Sequence, residues 1–118
     1  MARLKKVPLH PWETVNNSKE SRYIRLGASL FDHPAFIRLT HLERDVYISM
    51  INACAGKPEF KFPRAYYEKK GFSKTSVQKA VKGLTAAGFI EVKEQNWTIR
   101  KPNVYRFADG WKARREPP

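Results

Sequence analysis

The chain has 118 residues, 42% of them apolar and 13% aromatic, enough for one domain with its own core and incompatible with disorder throughout. Lys and Arg number 23 against 11 Asp and Glu, a net charge of +12 that suits a polyanionic partner. Cys54 is the single cysteine, so an intrachain disulfide is excluded, and no apolar run is long enough for a membrane span.

Residues 1–22 are polar and basic, with Pro8, Pro11 and a run of Asn, Ser and Lys. They read as a flexible arm with Trp12 as its hydrophobic anchor. Arg3, Lys5 and Lys6 are available to add phosphate contacts, and no apolar signal-peptide core follows them. Residues 23–26 alternate weakly and suit extended backbone. Between 28 and 38, Leu30, Phe31, Ala35, Phe36 and Ile37 predict two short helical turns, the second opened by Pro34.

Thr40-His41-Leu42-Glu43 is a capping-box pattern. Leu42, Val46, Met50 and Ala53 then recur at helical spacing, beside Tyr47, Ile51 and Cys54, so this helix is central to the core. Gly56 is its natural stop. Residues 59–62 alternate as a short strand. Pro63 opens a two-turn helix that Gly71 ends, and Ser73 caps a helix over 74–87 that Gly88 ends. Residues 89–93 and 104–107 read as a hairpin around a polar, basic connection. Residues 113–118 read as a frayed tail.

Two helices separated by Gly71-Phe72-Ser73 form a helix-turn-helix pattern, a unit that places its second helix in a DNA groove. On that second helix Val77, Ala80, Val81 and Leu84 point inward, and Lys74, Thr75, Ser76, Gln78, Lys79 and Lys82 point outward. Ser, Thr and Gln bond base edges, and Lys contacts guanine or phosphate. No Asp or Glu occurs from Ser73 to Ala87, whereas a merely solvated helix face mixes both signs. Between Phe60 and Arg106, eleven cations stand against three carboxylates, so eight of the twelve excess charges fall in this unit. They include Lys61, Arg64, Lys69 and Lys70 as backbone-contact candidates, and Lys93, Arg100 and Lys101 in the hairpin connection. Arg100 and Lys101, stiffened by Pro102, are placed to reach DNA beside the major groove.

Phe60-Lys61-Phe62-Pro63, Gly71-Phe72-Ser73-Lys74, Gly88-Phe89-Ile90-Glu91-Val92 and Lys101-Pro102-Asn103-Val104-Tyr105-Arg106-Phe107, with Trp111-Lys112, occur in that order. In this the chain resembles the winged-helix domains of Gram-positive mobile elements: plasmid replication initiators, phage and conjugative-transposon helix-turn-helix proteins, and relaxosome accessory proteins. The resemblance covers residues 23–112. It implies an α+β winged helix, a helix-turn-helix followed by a two-stranded wing, with extra helical turns at its N-terminal side. It also implies that the helix at 74–87 enters the major groove while the wing at 93–103 touches the flanking backbone or minor groove. It leaves replication, transfer and transcriptional control open.

The expected function is therefore that of a cytoplasmic, nucleoid- or plasmid-associated protein that binds double-stranded DNA site-specifically. It would act as an accessory or regulatory factor by occupying a site and contacting a relaxase, replication or transcription protein. No cofactor and no small-molecule substrate is expected. His10, His33 and His41 are scattered, so no metal site is expected. Tyr66 and Tyr67 lack a partner His or acid pair, so no catalytic role is expected. The alternative is a winged helix that docks on proteins without binding DNA, which an acidic recognition helix would have favoured. Single-stranded nucleic acid ranks lower, because the aromatics fall at apolar-periodic positions. Trp97 and Trp111 are read as packing groups at the base of the hairpin and against the core.

Overall fold

The computed structural model describes residues 9–15, 22–99 and 101–113. Most of the arm expected at 1–22, the tail after 113 and Arg100 lie outside them. The described chain is α+β, with five α-helices and a three-stranded antiparallel sheet. The helices are α1 (Ala28–Phe31), α2 (Pro34–Ile37), α3 (His41–Cys54), α4 (Arg64–Lys69) and α5 (Lys74–Ala86). The strands are β1 (Glu59–Lys61), β2 (Ile90–Glu94) and β3 (Val104–Phe107), and short 3-10 turns occupy Pro11–Glu13 and Gly110–Ala113. This order is compatible with the expected winged-helix arrangement. Among the described residues no helix is long and apolar enough to cross a membrane.

Local signals account for most boundaries. Thr40 and Glu43 form the reciprocal cap of α3: Glu43 N–H donates to Thr40 Oγ1 at 3.1 Å, and Thr40 N–H donates to Glu43 Oε1 at 2.9 Å. Pro34 is the first residue of α2, while Pro63 sits one step outside α4 as its N-cap. Helix α3 turns into the left-handed region one residue before the expected Gly56, at Ala55 (φ 52°). Helices α4 and α5 end alike. Gly71 and Gly88 take positive φ, and the next N–H, of Phe72 or Phe89, reaches back to Tyr67 O or Leu84 O at 3.0 Å. Both phenylalanines are then carried into the core.

The sheet order is β1-β3-β2, so the hairpin strand β3 is central. The expected two-stranded hairpin gains β1, with Phe60 opposite Tyr105. A bulge between Val92 and Glu94 interrupts the β2–β3 register. Val46, Met50, Val77, Leu84, Phe89 and Tyr105 fill the space between α3, α5 and the sheet. Each such side chain contributes about 1.5–3 kcal/mol by leaving water. The Glu43 carboxylate that caps α3 occupies the space a Cβ at Gly83 would take. The C-terminal 3-10 turn folds back as expected for Trp111, whose indole stacks on Phe89 at 5.4 Å and meets His33 edge-on. Trp12 is not an anchor; it is 80% exposed and stacks on His10 at 4.5 Å.

Burial pushes the phenols of Tyr47 and Tyr105 up to about 12, against a hydrogen bond from Asn103 that lowers the second. The fold therefore favours neutral tyrosine. Its contribution is complete below the unfolded value of roughly 10 and is lost as pH climbs towards the folded value, at about 2–3 kcal/mol per group. Denaturant unfolding across that alkaline window should show a falling midpoint, and Tyr47→Phe should flatten part of the fall. A variant that follows the parent curve would show that Tyr47 does not carry the effect.

Candidate nucleic-acid interface

Helix α5 turns Val77, Ala80, Val81 and Leu84 into the core. Helical spacing puts Thr75, Lys79 and Lys82 on the opposite side, and all three are exposed. The remaining candidates on this helix are less free. Ser76 is half-buried; its N–H and hydroxyl both meet Ser73 Oγ, at 3.1 and 3.0 Å, completing the helix cap. Gln78 is half-buried on the flank that faces the hairpin, where it lines a groove with Val92, Gln95 and Trp97. Lys74 is half-buried, and its ammonium donates to Trp97 O at 2.8 Å. The first residue of the helix thus ties it to the β2–β3 connection.

That connection is organised by a residue to which the sequence assigned no role. Asn103 is 5% exposed; its Oδ1 accepts from Asn96 N–H at 2.5 Å, and its Nδ2 donates to Tyr105 OH at 2.9 Å. Asn96 in turn donates through Nδ2 to Pro102 O at 3.0 Å and to Glu94 Oε1 at 3.1 Å. Trp97, half-buried, packs against the core from the same segment. The only advance signal was the Lys-Pro-Asn sequence itself, since an Asn after Pro suits a turn.

The other candidate cations are exposed on several elements, and of these Arg64 and Lys101 line one cleft with Lys74. Arg64, Lys69 and Lys70 are exposed on or beside α4, Lys61 on β1, Lys93 at the β2 bulge and Lys101 in the connection. Arg64 Nε is paired with Glu68 Oε2 at 3.0 Å, which pushes the guanidinium pKa further up. Lys70 sits 5.3 Å above the Tyr66 ring. Tyr66 OH accepts from Asn52 Nδ2 at 2.6 Å and donates to Ser49 O at 3.2 Å, and Tyr67 is buried beside Phe62. Among the described residues, no three His, Cys, Asp or Glu side chains gather as metal ligands would.

The described chain therefore presents a helix without carboxylates, tied to a hairpin connection, with Arg64 and Lys101 beside its first turn. Comparison with models of known protein families, with curated proteins and with solved structures finds no match.

Proposed function

We propose that this chain is a site-specific duplex-DNA-binding protein with a winged-helix architecture, acting without catalysis of its own. In this reading α5 enters the major groove with Thr75 and Lys79 foremost, and Gln78 reads from its flank. Lys82 and the cations of α4, β1 and the connection meet the backbone. The observation that carries the reading is the outer face of α5, where Thr75, Lys79 and Lys82 are exposed on a helix holding no Asp or Glu. Such a face attracts polyanions, and the phosphate backbone of nucleic acid is the densest of these.

The biological setting follows the sequence resemblance: an accessory or regulatory factor of a plasmid, phage or conjugative element, cytoplasmic and DNA-associated. By occupying and shaping a site, it would present that site to a relaxase, replication or transcription protein.

Selection of duplex fragments from a random pool by the purified chain tests this directly. A consensus should emerge, and failure to enrich any sequence would remove the site-specific reading. On the selected duplex, Gln78→Ala should cost about 1–3 kcal/mol at one base pair and leave random DNA almost unaffected. Equal weakening of selected and random DNA would show that Gln78 is not a reader.

A further inference from the structure

We infer that the cleft between α4, α5 and the β2–β3 connection seats a single phosphate group of the bound duplex, held jointly by Arg64, Lys74 and Lys101. The inference rests on the duplex-binding reading and adds to it one built subsite with three named ligands.

The cleft has a volume of about 340 Å³, and cations from three separate elements line it. Arg64 is the first residue of α4, Lys74 the first residue of α5, and Lys101 belongs to the connection. No Asp or Glu is among its described lining residues. Lys74 is the telling member. Its ammonium is drawn half under the surface, onto a neutral carbonyl, with no carboxylate against it. It also stands at the positive end of a 13-residue helix that has no acidic residue in its first turn. The start of that helix favours an anion, and a phosphate in the cleft would meet both it and the ammonium. The carbonyl of Trp97 takes one of the three ammonium protons, so two remain for a phosphate. Arg64 uses Nε on Glu68, and its terminal nitrogens have no hydrogen-bond partner among the described residues.

Phosphate in such a cleft has two sources, a nucleic-acid backbone or a free phosphorylated small molecule. Position favours the backbone. Lys74 and Gln78 are one turn apart on the same flank of α5, so a strand with a base edge against Gln78 carries a phosphate past Lys74. The cleft also opens onto the connection that places Lys101 beside the helix.

The test uses the selected duplex with each backbone phosphate replaced in turn by a neutral methylphosphonate. The parent protein is compared with Arg64→Gln, Lys101→Gln and the double variant; Lys74 is left alone because it also holds the connection. Expected is one position at which neutralisation lowers the parent's salt slope by about 0.9. At that position the double variant, which keeps only Lys74, should lose clearly less than the parent, and the two single changes should be less than additive. A duplex that binds well but shows no such position would overturn the cleft and leave duplex binding standing. Absence of duplex binding would remove both. A second arm titrates inorganic phosphate and adenosine monophosphate while following Trp97 fluorescence, with Trp97→Phe as the blank. Weak, millimolar quenching by both anions is expected of an open phosphate seat. Micromolar binding of the mononucleotide with a flat methylphosphonate scan would make the cleft a small-molecule site and overturn the assignment.

Discussion

Raising the salt from about 50 to about 200 mM should weaken binding to duplex DNA a few hundred-fold, because about five phosphate contacts give a log–log slope near −4 to −5. Lys61, Arg64, Lys69, Lys70, Lys79, Lys82, Lys93 and Lys101 are all exposed. They come from five different segments, so one duplex engages a subset rather than all. Each neutralised phosphate releases condensed counterions, and that release fades as bulk salt rises. Changing Lys82 to Gln should lower the slope by about 0.9 and leave folding within about 0.5 kcal/mol, since it is a surface position. Titrations at four or five salt concentrations measure the slope. A flat response would mean that the charge does not face DNA, however basic the chain.

Gly88→Ala should be the most damaging small change to the fold. Gly88 has φ +86°, and a Cβ there would lie 2.8 Å from Trp111 N and 2.9 Å from Gly110 C. Those are backbone atoms, so no rotamer change relieves the clash. The left-handed backbone alone costs an L-residue about 1–2 kcal/mol. Pushing the 3-10 turn away adds about 1–3 kcal/mol of overpacking. It also breaks the bond from Trp111 N–H to Gly88 O at 3.2 Å and the stack of Trp111 on Phe89. The total of about 2–5 kcal/mol corresponds to a melting temperature lower by roughly 10–20 °C for a domain of this size. Gly71→Ala is the matched control, for it has φ +91° but nothing within 4 Å of its built Cβ. It should show the backbone cost alone. Equal losses at the two glycines would mean that the turn at 110–113 yields freely and that its contact with Gly88 contributes nothing.

The contrast between these glycines also shows what the sequence makes legible. Helix ends are written locally: Thr40 with Glu43, Ser73, Gly71 and Gly88 each act within a few residues, and the structure places them as the sequence predicts. Pairing of β1 with β3 is not local. Phe60 meets Tyr105 across 45 positions, and a three-residue strand has no periodicity strong enough to announce its partner. The same distance hides the inward turn of Lys74. Helical spacing put it among the outward residues, but its acceptor, Trp97 O, is 23 residues away. Asn103 was hidden for a different reason. A polar residue before a strand reads as turn material, and only the assembled hairpin shows its amide bridging Asn96 and Tyr105. The exposed trio Thr75, Lys79 and Lys82 was legible because it depends only on the helical period and the apolar face opposite.

Equilibrium binding to three matched probes at about 0.15 M salt tests the central claim most directly: the selected duplex, a scrambled duplex of equal length and composition, and the single strand of the selected sequence. The selected duplex should bind at least about a thousandfold tighter than the scrambled one, with the single strand no better than the scrambled duplex. Equal affinity for the two duplexes, or tightest binding to the single strand, would contradict it.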